Sequence, residues 1–305
     1  LFHLFMAVVC SSSVAVLLRI SGRLGLRKME VIAVNYLTAV VVSLLIQGGG
    51  IGASFRTLET AITQIALDGG STITQEREVL WGIVAGIPLG IIYFLAFIVY
   101  QRALRENGLG LSGGFAKMGI LLPMALSMLI WGEFPGMLQW AGIAVAVAAV
   151  FTGAFRGASE GVRRFTPVLL LVFVANGMAE FGSKVYQRLG GGDNRDFFLL
   201  WVFGAALLCS VLSLVHERKR DEARHGFSPL SAALGVPLGL VNYFSSWFLI
   251  PALGVLNTSV VFSVFGAGTV ALLSMTGVAA FGERLDGRRW TSLVMVTAAL
   301  VLVNM

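Results

Sequence analysis

The chain has 305 residues, 57% of them apolar and only 12% charged, with a mean hydropathy of +0.85. Too few polar side chains are available to coat a soluble globule of this size, so the composition excludes one and makes lipid the solvent. The net charge of +6 calls for no nucleic-acid partner, because the basic residues collect in short connections between apolar stretches.

A bilayer core about 30 Å thick is crossed by roughly 20 apolar residues in a helix, and ten such stretches follow one another. The first two are predicted at 1–18 and 31–47. No basic lead or small-residue cleavage site precedes the first, so no secretory signal is expected, and the leucine at position 1 points to a trimmed start. The connection from Gln47 to Glu78 opens with Gly48, Gly49 and Gly50. It places Leu58, Ala61, Ile62 and Ile65 at helical spacing, an amphipathic stretch suited to the membrane surface. The third to fifth spans are predicted at 79–101, 109–131 and 137–155, and the sixth to eighth at 166–189, 197–215 and 228–252. The last two are 256–280 and 288–304. Val79 to Val99 and Leu293 to Val303 run apolar without the alternation of a barrel strand, so the fold class is all-α integral membrane with ten transmembrane helices.

Lys and Arg are retained on the cytoplasmic side of short loops. Odd-numbered connections hold sixteen of the 22 basic residues, among them Arg19, Arg23, Arg27, Lys28, Arg102, Arg105, Arg218 and Arg220. Even-numbered connections hold four, Arg56, Arg77, Arg188 and Arg195, with Asp193 and Asp196 balancing the last two. Odd loops are therefore expected in the cytoplasm and both termini outside an inner or plasma membrane.

The apolar segment GIPLGIIYFLAFIVYQRAL from Gly86 returns 149 residues later as GVPLGLVNYFSSWFLIPAL from Gly235. Trp131-Gly132-Glu133 with Trp140 likewise returns as Phe281-Gly282-Glu283 with Trp290, at an offset of 150. Such self-similarity marks two copies of one unit, 1–155 and 156–305. Five spans per copy, an odd number, make the repeats inverted, the architecture with which secondary transporters alternate access to a midplane site. Gly86, Gly90, Gly235 and Gly239 are read as small-residue packing faces, and Pro88 and Pro237 between them as hinges or static kinks.

Phe115 to Glu133, leading through Gln139 and Trp140 into the fifth span, resembles the EamA-like branch of the drug/metabolite transporter superfamily. The second copy, Asn257 to Glu283 followed by Trp290, resembles the same unit. The resemblance covers nearly the whole chain and implies secondary active transport, more often export, through a cavity lined by spans 1–4 and 6–9. It also implies that spans 5 and 10 are peripheral or form a homodimer contact. Small four-span relatives carry an acid in the middle of the first span for proton coupling. This first span has Cys10, Ser11, Ser12 and Ser13 there, so the coupling mechanism does not carry over.

Ionisable groups within spans are costly and are functional candidates by default. Lys117 lies about 5 Å from the centre of its span at 1.5 Å per residue, too deep to snorkel comfortably. It requires a buried partner, a wet cavity or a lowered pKa. Asn176, Glu180 and Lys184 are four apart and share one helix stripe. Glu180 is placed to pair with Lys184 or with Lys117, or to bind a proton. Asn35, Tyr93, Asn242, Tyr243 and Trp247 combine aromatic surface with hydrogen-bonding groups, as small-molecule sites do. Glu133 and Glu283 occupy equivalent span ends, where a carboxylate meets the positive start of the next helix.

Other chemistry finds little support. Gly108 to Gly113 matches a dinucleotide fingerprint but lacks the strand that the motif needs, and is read as the tight turn opening the fourth span. Cys10 and Cys209 lie within spans with no CxxC or Cys/His cluster, so no metal, disulfide or other cofactor is expected. No nucleophilic or paired-carboxylate arrangement suggests an enzyme. The reading is a transporter of a small polar or amphipathic metabolite such as an amino acid. An organic anion or phosphate exchanger using Lys117 and a non-transporting channel or assembly subunit remain as alternatives.

Overall fold

In the computed structural model the described residues are 1–48, 50–68, 77–154, 167–190, 194–220 and 228–281, with seven single positions beyond them. Among these the backbone is helical, with no strand. The helices are α1 (Phe2–Arg23), α2 (Lys28–Gln47), α3 (Gly50–Asp68), α4 (Arg77–Met118) and α5 (Leu121–Trp131). After them come α6 (Met137–Ala154), α7 (Pro167–Leu189), α8 (Arg195–Arg220), α9 (Pro229–Val255) and α10 (Thr258–Phe281). Among the described residues six stretches are long and apolar enough to cross a bilayer: α1, α2, the Val79–Ala103 part of α4, α7, the Arg195–Lys219 part of α8, and α9. The tenth predicted span lies mostly outside the described residues. The amphipathic stretch after the second span forms α3.

Burial follows the logic of a lipid solvent. Leu129, Met137 and Leu171 are 81%, 92% and 54% exposed, whereas Ser43, Ser127, Ser210 and Thr269 are all fully buried. A water-soluble core sorts these residue types the other way, and an outward apolar coat suits acyl chains.

The third and fourth predicted spans are not separated by a loop. Backbone helix runs through α4, 42 residues. The connecting sequence Gln101-Arg102-Ala103-Leu104-Arg105-Glu106 consists of strong helix formers, which continue the helix rather than end it. Gly108 to Gly113 are thus helical and not the expected tight turn. The interruption comes later, at Gly119 and Ile120, between α4 and α5. Pro123 causes it: a proline has no N–H for the carbonyl four residues back and its ring crowds that carbonyl. The Gly119 carbonyl instead accepts from Leu122 at 3.0 Å.

Two compact units are assembled from alternating stretches of the chain. One comprises Leu1–Val16, Leu95–Lys184 and Val255–Met305, the other Leu17–Phe94 and Val185–Gly254. The first will be called the lysine unit and the second the aromatic unit.

In the aromatic unit, α4 and α9 present glycines to partner helices. A Cβ on Gly86 would stand 2.9 Å from the Trp201 Cβ and 3.1 Å from the Phe198 carbonyl of α8. One on Gly90 would strike the Val202 carbonyl. On α9, a Cβ on Gly235 would lie 2.6 Å from the Val34 Cβ of α2, and one on Gly239 would strike the Asn35 carbonyl. Close backbone approach of this kind substitutes for the hydrophobic effect, which is absent between helices in lipid. Helices α4 and α9 continue through Pro88 and Pro237.

The lysine unit has its own contacts of this type. A Cβ on Gly119 would be 2.9 Å from the Gly177 nitrogen of α7, and one on Gly268 of α10 would be 3.1 Å from the Val8 side chain of α1. Ala103, Val168, Leu169 and Val172 form a buried cluster that joins α4 to α7.

Candidate functional site

Lys117 is in the last turn of α4, immediately before the break. The final carbonyls of a helix carry partial negative charge and favour a cation there. Gly119 N–H donates to the carbonyls of Phe115 and Ala116 at 3.2 and 3.3 Å, and Ile120 N–H to that of Lys117 at 3.4 Å, so the last turn closes tightly. The ammonium donates to the Ser11 hydroxyl of α1 at 3.4 Å and stands 5.6 Å from the centre of the Phe265 ring of α10. A ring face attracts a cation without neutralising it.

Glu180 of α7 follows Gly177 by three residues, and Gly177 packs on Gly119, two residues past Lys117. Among the described residues, no ion pair or hydrogen bond engages its carboxylate. The two charged side chains thus flank one helix–helix contact without forming an ion pair. The neighbouring members of the polar stripe have other partners. Asn176 donates to the Val172 carbonyl of its own helix at 2.9 Å. Lys184 pairs with Glu133 at 3.0 Å rather than with Glu180. Glu133 also accepts from the Thr258 hydroxyl at the start of α10. It therefore meets the start of α10, a helix beyond the next one in the chain. Glu283 lies outside the described residues.

The aromatic unit gathers the other candidates. Close approach of α9 to α2 at Gly239 lets Asn242 donate its amide to the Asn35 side-chain oxygen at 3.2 Å. Tyr93 of α4 and Ser246 of α9 share a hydrogen bond at 3.3 Å. Phe203 of α8 lies between three tyrosines, with ring centres 6.2 Å from Tyr36, 6.1 Å from Tyr93 and 5.9 Å from Tyr243.

Tyr243 and Trp247 are committed to a residue that the sequence reading counted only as loop charge. Both donate to the same Asp196 carboxylate oxygen, at 2.6 and 2.7 Å. The Asp196 backbone carbonyl accepts from Ser43 at 2.8 Å, and the Arg195 guanidinium covers Trp247 at 3.6 Å. A second acid, Glu30 in the first turn of α2, has the corresponding place at another helix start. It is 1% exposed, pairs with Arg27 at 3.2 Å and with Arg218 at 3.5 Å, and accepts the Ser228 N–H at 3.1 Å. Asp196 and Glu30 both lie just outside or at the edge of an apolar stretch, so hydropathy reading assigns them to loops. Their sole sequence signal is an acid in a helix's first turn.

No family model matches the chain. It is 24% identical over 303 residues to an uncharacterized protein of Haemophilus influenzae, covering 98% of this chain and 96% of that one. The fold is one already seen in a crystal. A solved structure superposes with a TM-score of 0.66 at 16% identity, covering 99% of this chain and 94% of the other. Agreement over that span shows a shared fold and carries no statement about activity.

Proposed function

We propose that the chain is a secondary active transporter of an inner or plasma membrane. It exports small zwitterionic metabolites of the amino-acid class by alternating access. One observation carries this reading: an ammonium and a carboxylate, Lys117 and Glu180, flank the Gly119–Gly177 contact at a helix break with no ion pair between them. Both side chains are partly buried, and a charge withdrawn from water gains from an opposite charge at hydrogen-bonding distance. A ligand bearing both charges satisfies them together, its carboxylate on Lys117 and its ammonium on Glu180. Broken helices at the midplane are where transporters place such groups.

The architecture proposed is ten spans in two inverted five-helix repeats, 1–155 and 156–305, with both termini outside. Reciprocal packing supports it: glycines of α4 lie on α8, while glycines of α9 lie on α2. Gly119 and Gly268, 149 positions apart like Gly86 and Gly235, approach α7 and α1 respectively. Glu30 and Asp196 open α2 and α8, which fill corresponding places in the two copies. The count of ten takes Val79–Ala103 and Phe115–Trp131 as two crossings, although the backbone between them is helical.

Purified protein in proteoliposomes preloaded with an unlabelled amino-acid mixture tests the reading. Saturable counterflow of a labelled amino acid is expected, with no uptake in empty vesicles. Flux that neither saturates nor depends on a gradient would identify a non-transporting membrane protein instead.

A further inference from the structure

Helix α5 has 11 residues and meets α7 near both of its ends. At the break, Gly119 and Gly177 approach so closely that a Cβ on Gly177 would lie 2.6 Å from the Gly119 carbonyl. At the other end, the Trp131 and Phe181 rings are 5.6 Å apart, and the Lys184 ammonium is 6.0 Å from the Trp131 ring centre. Just beyond α5, the backbone turns at Gly132, whose φ of 65° suits glycine. This turn brings Glu133 back onto Lys184 at 3.0 Å and onto Thr258. The Lys184 side chain is 4% exposed and that of Glu133 is 19% exposed.

We infer that Glu133, Lys184 and Thr258 form a latch that holds α5 shut against α7 and α10 on the outer side, with Gly119 and Ile120 as its pivot. The pivot lacks one helical hydrogen bond because of Pro123, so bending there breaks little. The latch, in contrast, is an ion pair with a buried ammonium, and its separation takes from Lys184 a carboxylate 3.0 Å away. The pivot also directly follows Lys117, so a swing of α5 opens a path to the ammonium without unfolding α4. Zwitterion binding between Lys117 and Glu180 acts on α4, which ends at the pivot, and on α7, which packs against it through Gly177. The device rests on the transport reading and specifies what controls access to its site.

The test uses full-length protein in intact cells. A cysteine replaces Ser11, beside Lys117, in a background where Cys10 and Cys209 are serine, and a membrane-impermeant maleimide is added outside. Glu133→Gln and Lys184→Met are expected to accelerate labelling by on the order of tenfold, as a two-state balance shifts toward the open form. Lys184→Arg retains the charge and should label at the parental rate, and the exchange of charges in Glu133→Lys with Lys184→Glu should restore it. Thr258→Val removes one hydrogen bond, leaves both charges paired, and should give a smaller increase. Unchanged labelling in the first two variants and in Thr258→Val overturns the latch, as does equal acceleration by Lys184→Arg. Wild-type counterflow separately decides the transport reading: saturable flux with unaltered labelling removes the latch alone.

Discussion

Replacing Lys117 by methionine is expected to lower amino-acid counterflow by on the order of a hundredfold while leaving the folded protein intact. A charge-assisted contact to a carboxylate contributes more than a neutral hydrogen bond, and losing it also leaves Glu180 facing a ligand carboxylate with no compensating charge. Methionine has similar reach and remains compatible with Phe265. Among the described residues the ammonium has a 3.4 Å hydrogen bond to Ser11 and stands 5.6 Å from the Phe265 ring, so its removal breaks no ion pair. Counterflow together with thermal unfolding in detergent separates the two effects. Lys117→Arg, which retains the charge, should keep measurable flux. A large fall in unfolding temperature for Lys117→Met would instead place the lysine in the structural framework.

Asp196→Ala should produce the opposite pattern, a large loss of stability from a residue that holds the aromatic unit together. The substitution leaves the Tyr243 hydroxyl and the Trp247 indole N–H without their acceptor. A buried donor without a partner costs about 1–3 kcal/mol, so the two together remove roughly 2–6 kcal/mol from the aromatic unit. It also removes the first-turn acid from α8, where negative charge is favourable. Asp196→Asn keeps a side-chain oxygen for one or both donors and should recover part of the loss. Thermal unfolding followed by tryptophan fluorescence reports the change, since Trp247 is itself one of the donors. Equal stability for Asp196→Ala and the parent would mean that the two bonds contribute nothing net.

The helical class and most span positions could be read from hydropathy, because an apolar stretch of about 20 residues in lipid has only one way to satisfy its backbone. The close approach of α4 and α9 to neighbouring helices at Gly86, Gly90, Gly235 and Gly239 follows from the residue type and spacing. The break at Gly119 was missed because Pro123 stands in an apolar run, where hydropathy carries no penalty for proline. Only the four-residue relation to Gly119 would have exposed it. The opposite error occurred at Arg102 to Gly108, where polarity suggested a loop but helix propensity prevailed.

Partner choice was the least legible part of the site. Spacing four apart made Glu180 and Lys184 natural partners on one helix, yet Lys184 pairs with Glu133, 51 positions away in the chain. Such a contact depends on how α5 ends and turns at Gly132, which no local pattern encodes. Tyr243 and Trp247 were legible as polar aromatic residues, but not as donors to Asp196, because that acid comes from the start of another helix.

The most direct test of the central claim is equilibrium binding of one amino acid and its two singly blocked derivatives, N-acetylated and carboxyl-amidated, to the purified protein. The account predicts that blocking either end weakens binding by on the order of tenfold or more, with Lys117→Met removing the distinction between free and amidated carboxyl ends. Undiminished binding of the N-acetylated derivative would contradict it and favour an anion exchanger that uses Lys117 alone.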